Sequence, residues 1–238
     1  MDKKKHSITA FFPVYNDWGT ISSMVLLVDG VLEKIASDYE IILIDDGSNA
    51  MTKRVLEELS RKVSRLKVIT HYKNKGYGAA LKTGIYNSKF DLIFYTDGDA
   101  QYNPEELKLL IHELNDGIDI VNGYKISRSD PVYRKILGKL YHNITRLIFG
   151  FKIRDVDCDF RLMRKKIFQD MVLEYNSGII CVEMITKITK RGYKFAEVPV
   201  HHYYRVSGKS EFFNFARIFQ VIKNLIKLWY KIQIRKKY

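Results

Sequence analysis

The chain has 238 residues, of which 46% are hydrophobic and 28% charged, and its formal net charge is +13. This length and hydrophobic content allow a sizeable core and exclude an intrinsically disordered chain. The positive charge indicates an anionic partner: a nucleic acid, a phosphorylated substrate or an anionic membrane. The two cysteines, Cys158 and Cys181, form no CxxC pair, so we expect them to be buried in a reducing compartment rather than to bind metal.

Strand-like and helical segments alternate along the first half of the chain. Strands are predicted at 8–14, 40–44, 66–71 and 92–95, and helices at 20–36, 52–63, 78–87 and from 104 onward. Asn103 is the expected cap of the last helix, with Pro104 in its first turn. Strands separated by helices predict a mostly parallel central sheet with right-handed crossovers. The predicted fold class is therefore α/β.

Three of the predicted strands end in acidic loops, and these loops would meet at one edge of the sheet. They are 15–17, 45–48 and 97–99. The carboxyl edge of a parallel sheet is where α/β proteins bind ligands. Asp97 and Asp99 could hold a divalent cation that neutralises a diphosphate leaving group, or they could form a solvated turn. The convergence of three acidic loops favours the metal interpretation.

A glycine-bearing turn at 74–78 precedes the third predicted helix. A helix N-terminus at this place could approach a phosphate or a ribose closely, so Gly76 and Gly78 are candidate substrate-binding residues. The turn is not a dinucleotide-binding fingerprint, because Leu81 occupies the third glycine position. It also lacks the lysine and hydroxyl residue of a phosphate-binding P-loop.

In order and spacing, segments 13–17, 45–48, 74–80 and 97–101 resemble the motifs of family 2 glycosyltransferases. Within that family they look like the dolichyl- or polyprenyl-phosphate hexose (mannose or glucose) synthases. The resemblance implies a GT-A fold, an inverting mechanism and a GDP- or UDP-hexose donor. It predicts a catalytic domain at 1–210, with a nucleotide-sugar-binding half at 1–115 and an acceptor half at 116–210.

The resemblance also implies roles for individual residues of the donor site. The nucleoside would be surrounded by Pro13, Tyr15, Asp17 and either Asp45 or Asp46. Mg²⁺ or Mn²⁺ would be held against the diphosphate by Asp97, Asp99 and Gln101, which makes Asp99 a catalytic candidate as well.

The acceptor half departs from the family pattern in two places. Lys125 stands where the synthases usually have arginine, so it keeps the charge and loses the planar fork that grips phosphate. Asp157 and Asp159 are extra carboxylates in the segment 155–161. Arg161, which matches the family pattern, is a candidate substrate-binding residue.

The identity of the acceptor decides whether a base is needed. The oxygen of a lipid phosphate is already ionised, whereas a sugar hydroxyl must give its proton to a carboxylate. Asp155 and Asp157 are the candidate bases, and Asp155 matches the family position. The alternative is a structural acidic loop paired with nearby arginines at 154, 161 or 164.

A basic segment, Arg205-Val206-Ser207-Gly208-Lys209-Ser210, follows a predicted strand at 196–204. A similar segment folds over the donor in the related synthases. We interpret Arg205 and Lys209 as clamps for the diphosphate or the acceptor phosphate, the alternative being a basic surface loop. Arg128 and Arg134 lie in a loop that would close over the acceptor.

The segment 211–238 is predicted to be a separate amphipathic, basic helix, because the stretch 212–234 has helical spacing, with an aromatic and aliphatic face and a basic face. This is the profile of a helix that lies in an anionic membrane interface, and 131–149 is a candidate second helix of this kind. Alternatives are an ordinary packed C-terminal helix or a helix that docks on a membrane-protein partner. No apolar run reaches the ~18 residues of a membrane span, and we expect no secretory signal.

Together these features predict a metal-dependent hexosyltransferase on the cytoplasmic face of a membrane, with polyprenyl phosphate as its acceptor. The alternative acceptor is a glycan or a lipid-linked saccharide. A nucleic-acid-binding protein is disfavoured, because the basic residues are spread out and no nucleic-acid motif occurs. A non-catalytic regulator is disfavoured because Asp97, Asp99 and Gln101 are all present.

Overall fold

The sheet at the centre of the computed structural model has the strand order β3-β2-β1-β4-β6-β5-β7. The structure describes residues 6–128, 132–205, 215–236 and 238. The strands are β1 His6–Val14, β2 Ala36–Asp45, β3 Leu66–Thr70, β4 Leu92–Thr96, β5 Ile120–Arg128, β6 Phe160–Arg164 and β7 Phe195–His202. The pairs β1–β2, β1–β4, β2–β3 and β5–β7 are parallel, and β6 is antiparallel to both of its neighbours. The predicted α/β class with a mostly parallel sheet is confirmed.

α-Helices lie between successive strands, and a last helix follows the seventh strand. They are α1 Ile21–Ile35, α2 Ala50–Lys62, α3 Tyr77–Asn87, α4 Leu107–Glu113, α5 Val132–Phe149, α6 Ile180–Lys190 and α7 Phe215–Trp229. The helix predicted from Pro104 begins as a 3₁₀ turn, Pro104–Glu106, and Asn103 caps it by accepting a hydrogen bond from the Glu105 amide at 3.0 Å. A π-helical turn, Tyr230–Ile234, extends α7.

Side chains alternate across the sheet, so each face buries its own core. In β2, Ile41 and Leu43 join a cluster that includes residues of α1, α2 and α4. Ile42 and Ile44 join a second cluster on the opposite face, with residues of α3, α6 and α7. These strands are apolar on both sides because helices cover both faces of the sheet.

The second face also receives the C-terminal helix. Leu228 and Ile232 are each 1% exposed and belong to the same core cluster as α3 and α6. α7 therefore packs on the domain, and the separate unit predicted at 211–238 shares its core. The two predicted halves are likewise joined, because β4 pairs with β6 across their boundary. Within the described residues, no helix is long and apolar enough to cross a membrane.

Candidate active site

The acidic loops after β1, β2 and β4 are tied to one another at the carboxyl edge of the sheet. The Asn16 amide donates to the Ser48 hydroxyl at 3.1 Å, which links the first loop to the second. The Thr20 hydroxyl donates to the Gly98 carbonyl at 2.7 Å, which links the start of α1 to the third. The predicted convergence of these loops is confirmed, and the side-chain hydroxyls of Ser48 and Thr20 tie together the loops that border this crevice.

Asp97 and Asp99 project from the loop after β4, and each is held by a partner. The Tyr77 hydroxyl donates to Asp97 Oδ1 at 3.0 Å. The Gln101 amide donates to Asp99 Oδ1 at 3.1 Å, and the Arg205 guanidinium pairs with Asp99 Oδ2 at 2.5 Å. These contacts fix the orientation of both carboxylates before any ligand arrives.

Burial and mutual repulsion make these carboxylates hard to ionise. Burial is the main reason that the pKa of Asp97 lies well above its usual range, and the charges of Asp159 and Asp99 add to the effect. Burial also raises the pKa of Asp99, against the opposing charge of Arg205. Burial and the charge of Asp99 raise the pKa of Asp17 to about 6, although the Tyr15 amide opposes the shift. A crevice with this excess of negative charge favours a cation.

The residues present fit a divalent cation that is shared with a ligand. Among the side chains that the structure describes, no group of three or more His, Cys, Asp or Glu residues could hold a metal ion alone. Mg²⁺ commonly binds one or two carboxylates and completes its coordination with water and substrate phosphates. Asp97 and Asp99 supply such a pair, so a diphosphate would have to complete the site.

Gln101 and Arg205 connect this loop to the end of β7. Gln101 Nε2 donates to the Tyr203 carbonyl at 3.1 Å, and the Tyr203 amide donates to the Gln101 carbonyl at 2.8 Å. Arg205 lies two residues further on and reaches Asp99. The structure thus gives Gln101 a tethering contact, and its role as a metal ligand stays a prediction.

The structure distinguishes Asp45 from Asp46. Asp46 is fully used inside the fold, because its carboxylate accepts from His71 Nδ1 at 2.6 Å and from the backbone amides of Lys75 and Gly76 at 2.9 and 2.8 Å. Asp45 Oδ1 accepts from the Ser48 amide, whereas its Oδ2 is buried and has no hydrogen-bond partner among the described residues. Of the two, Asp45 keeps an oxygen for a nucleoside.

Gly76 and Gly78 were predicted to bind substrate through the N-terminus of α3, and the structure contradicts this. Their N–H groups are used within the protein, by Asp46 at 2.8 Å and by the Asn176 carbonyl at 2.8 Å. A Cβ on Gly76 would lie 2.4 Å from the Asn176 carbonyl oxygen. These glycines therefore admit the backbone of the segment before α6 instead of a phosphate.

We expect Gly78→Ala to destabilise the protein by about 2 kcal/mol, since overpacking of a tight site typically costs 1–3 kcal/mol. Its Cβ would lie 2.5 Å from the Tyr175 carbonyl oxygen. Urea unfolding followed by circular dichroism measures the change. Gly30→Ala is the matched control, because a Cβ at Gly30 in α1 meets nothing within 4 Å and should stabilise the helix by about 0.5–1 kcal/mol. Equal effects at the two positions would contradict this account of Gly78.

The segment before α6 is held in turn by a buried acid. Glu183 in α6 is fully buried and accepts hydrogen bonds from the Glu174 and Tyr175 amides at 2.9–3.1 Å. Lys187 pairs with the same carboxylate at 2.9 Å. Glu183 thus anchors the backbone on which Gly76 and Gly78 rest.

A fourth acidic loop, 155–159, borders the crevice from the acceptor half. Lys125 Nζ donates to the Asp157 carbonyl at 2.7 Å and lies 3.5 Å from Asp155 Oδ2. Burial raises the pKa of Asp157 to about 7, with Lys125 opposing the shift and Asp155 adding to it. Lys125 therefore stabilises the loop directly. The two candidate bases differ, because Asp155 is paired with the Lys125 ammonium group, whereas the pKa of Asp157 is raised to about 7.

Arg161 was predicted to bind substrate, but the structure buries it completely beneath this loop. Its Nε donates to Asn122 Oδ1 at 2.5 Å, and its two terminal nitrogens donate to the Tyr95 hydroxyl and the Val156 carbonyl. A guanidinium whose three nitrogens are all engaged by the protein is not available to a ligand. Its function is to pin the acidic loop to the sheet.

Some predicted residues lie outside what the structure describes. Lys209 falls in the segment 206–214, which is not described, and the side chains of Arg128 and Arg134 are not described either. Their predicted roles are therefore untested. Pro13 lies at the end of β1, and Tyr15 just beyond it is 42% exposed at the rim of the crevice.

Comparison with known proteins identifies the family. The family described as Glycosyl transferase family 2 matches residues 9–172. The chain belongs to glycosyl transferase family 2. This confirms the family named from the sequence motifs, and the matched range includes the three acidic loops of the crevice and the loop 155–159.

Solved structures share the fold of this glycosyltransferase. One is glucosyl-3-phosphoglycerate synthase from Mycobacterium tuberculosis in complex with phosphoglyceric acid, with a TM-score of 0.73, 13% identity, and coverage of 95% of this chain and 79% of that one. The same enzyme with Mg²⁺ and UDP gives a TM-score of 0.72, 12% identity, and coverage of 95% and 79%. Its complex with Mn²⁺, UDP-glucose and phosphoglyceric acid gives 0.70, 13%, and coverage of 95% and 79%.

The glycosyltransferase fold places two further residues, Tyr77 and Asp159, in the crevice, and neither is a predicted site residue. Tyr77 donates to Asp97, and Asp159 lies near enough to raise the pKa of both Asp97 and Asp99. Asp159 Oδ1 accepts from the Cys181 thiol at 3.3 Å and lies 3.5 Å from the Tyr95 hydroxyl. The available signal for Asp159 was its departure from the family pattern, but only the fold shows that it lies near Asp97 and Asp99.

Proposed function

We propose that this glycosyltransferase moves a hexose, with inversion, from a nucleotide-diphosphate sugar to a polyprenyl phosphate on the cytoplasmic face of a membrane. The observation that carries the proposal is the oriented pair Asp97 and Asp99, which lies in a crevice whose negative charge favours a cation. Family membership supports the donor class, and so do the structural neighbours that contain UDP or UDP-glucose with Mg²⁺ or Mn²⁺.

The proposed reaction forms a bond from an acceptor oxygen to the anomeric carbon and breaks the bond from that carbon to the diphosphate. A nucleoside diphosphate leaves with the bonding electrons, and the anomeric configuration inverts. Bound Mg²⁺ or Mn²⁺ would neutralise the charge that grows on the leaving group. Asp97 and Asp99 would hold the ion, and Arg205, paired with Asp99 at 2.5 Å, is placed to turn to the diphosphate.

The remaining crevice residues would bind the other parts of the donor. The unpartnered Oδ2 of Asp45 suits an N–H group of the nucleobase, because a buried carboxylate oxygen needs a donor. Asp159 lies next to Asp97 and is contacted by a thiol at 3.3 Å and a phenol at 3.5 Å. Its carboxylate is placed to accept hydrogen bonds from hexose hydroxyls.

The position of α5 supports a lipid acceptor. Burial raises the pKa of Tyr141, and the charge of Asp157 adds to this shift. Burial lowers the pKa of His142, and the charge of Asp155 opposes this shift. Both side chains belong to α5, so this helix lies beside the loop 155–159. The opposite side of α5 exposes large apolar residues such as Leu140 and Leu147. An acceptor phosphate that is ionised needs no strong base. The neighbour with phosphoglyceric acid contains a phosphorylated compound as well.

One observation favours transfer to a saccharide hydroxyl instead. Asp157 is a partly buried carboxylate whose pKa is raised to about 7, mainly by burial, and a general base works best with a pKa near the working pH. A hydroxyl acceptor requires such a base. A glycan or a lipid-linked saccharide is therefore the second candidate.

The purified full chain should release a nucleoside diphosphate from UDP- or GDP-hexose only when Mn²⁺ or Mg²⁺ and a short polyprenyl phosphate are both present. Mass spectrometry should find the hexosyl lipid phosphate, and NMR should show an inverted anomeric carbon. Matched reactions contain the polyprenol without phosphate, or an oligosaccharide. Turnover with the oligosaccharide and none with the polyprenyl phosphate would replace the proposal with the second candidate.

A further inference from the structure

The helices α5 and α7 lack negative charge. No aspartate or glutamate occurs between residues 132 and 154 or between residues 212 and 238, although the chain has 27 acidic residues. The two helices are neighbours in space, because Gln233 Nε2 donates to the Ile148 carbonyl at 3.2 Å and both helices contribute to the same core cluster. Together they form a region of positive charge that contains no acid of its own, and Glu174, from outside both helices, pairs with Lys231 at its edge.

α5 exposes a stripe of aliphatic side chains. They are Ile136, Leu137, Leu140, Ile144, Leu147 and Ile148, and their exposed fractions run from 39% to 86%. With 3.6 residues per turn, these positions lie on one side of the helix. One edge of that stripe is lined by three cations, Lys135, Lys139 and Arg146, and all three are exposed.

α7 has the same arrangement. Val221, Leu225, Leu228 and Ile232 pack against the domain. Beside them a second apolar stripe stays exposed: Ile222, Ile226, Trp229, Tyr230 and Ile234. Lys223 and Lys227 lie along the far edge of this stripe, and both are exposed. We call the exposed apolar residues of both helices, with these flanking cations, the two-helix face.

We propose that the two-helix face docks the enzyme on an anionic lipid bilayer, with the apolar stripes entering the interface and the cations contacting lipid phosphates. Exposed apolar patches of this kind mark interaction sites, and basic amphipathic helices bind anionic membrane surfaces. The inference deepens and rests on the proposed function, since a polyprenyl phosphate presents its phosphate at the surface of a membrane.

Charge complementarity favours lipid over the other occupants of this face. A second copy of the chain would bring the same cations together without acids to pair with them. Nucleic acid would be bound through the lysines and would not need the exposed isoleucines and leucines. An anionic bilayer uses both parts of the face at once.

The first test measures binding of the full chain to sedimented phosphatidylcholine vesicles with and without phosphatidylglycerol. The wild type should bind the anionic vesicles, and more weakly at high salt. Leu147→Gln combined with Ile226→Gln should weaken binding at least about 30-fold, because each substitution removes apolar area that the wild-type side chain would bury in the bilayer. Leu26→Gln with Leu27→Gln is the matched control, since both leucines are exposed on α1 over the opposite face of the sheet and should not affect binding.

A second pair of variants tests the cations. Lys223→Gln with Lys227→Gln should weaken binding to anionic vesicles about 30-fold, because each lysine near the surface contributes about fivefold. Arg61→Gln with Lys62→Gln in α2 removes two exposed cations elsewhere and should have little effect. In detergent with a short polyprenyl phosphate, the turnover of all four variants should equal that of the wild type. If the wild type binds anionic vesicles but does not turn over the polyprenyl phosphate, the proposed acceptor is wrong and the docking proposal stands.

Three outcomes would overturn the docking proposal itself. The first is unchanged vesicle binding by the Leu147 and Ile226 variant. The second is no vesicle binding by the wild type, together with a dimer that this variant dissociates, which would assign the face to a second copy. The third is binding of RNA that depends on the lysines alone, again without vesicle binding.

Discussion

Asp99→Asn should lower metal-dependent turnover by about 100-fold or more, because a fixed charge that stabilises the transition state typically contributes that much. The variant should also lose the rise in melting temperature that Mn²⁺ and UDP give the wild type. Without ligand its stability should be unchanged or slightly higher, since burial makes the Asp99 carboxylate unfavourable. Initial rates and thermal unfolding with and without Mn²⁺ measure these effects.

Arg205→Met separates the metal site from the ion pair. Asp99 also pairs with Arg205, so a loss of activity in Asp99→Asn could have either origin. Removing Arg205 deletes the pair and leaves both carboxylates, so Mn²⁺ with UDP should still stabilise this variant while turnover falls. If Asp99→Asn keeps full turnover or the full Mn²⁺ response, the assignment of the metal to this loop is wrong.

Arg161→Met should destabilise the protein by about 3 kcal/mol or more. The substitution leaves three buried acceptors without a donor, namely Asn122 Oδ1, the Tyr95 hydroxyl and the Val156 carbonyl, and each such loss costs roughly 1–3 kcal/mol. Urea unfolding should show a lower midpoint. Turnover should decline at temperatures where the wild type is still active, because the loop 155–159 loses its anchor.

Two further variants test the geometry of this contact. Arg161→Lys keeps the charge, but a single ammonium cannot reach three acceptors that a planar fork reaches, so it should also destabilise. Arg54→Met removes an arginine whose side chain is 78% exposed and should change stability by about 0.5 kcal/mol or less. A stable Arg161→Met variant with altered donor or acceptor binding would return Arg161 to the substrate site.

The acidic loops show how far sequence reasoning reaches in the donor site. Asp17, Asp45 and Asp97 each follow a short apolar strand, so the sheet edge on which they meet is predictable from local pattern and parallel topology. The choice between Asp45 and Asp46 is not predictable in this way. It depends on His71 and on the turn at 75–76, which reach Asp46 from elsewhere in the fold.

The glycine turn and Arg161 show where local pattern misleads. A glycine is compatible with the close approach of a ligand or of the protein's own backbone, and only the position of Asn176 shows which one Gly76 and Gly78 meet. An arginine in a family motif is compatible with a ligand contact or a buried anchor, and the burial of Arg161 under Val156 decides for the anchor.

The sequence by itself determined the α/β class, the acidic edge and the amphipathic character of the C-terminal helix, because these follow from periodicity and composition, and the resemblance of its motifs indicated the family. The tertiary structure alone decided which carboxylate oxygens stay available, that Asp159 and Tyr77 border the pair Asp97 and Asp99, and that α5 and α7 share one exposed face. The physical reason is that hydrogen-bond satisfaction and burial depend on contacts between residues far apart in the chain, which no local pattern encodes.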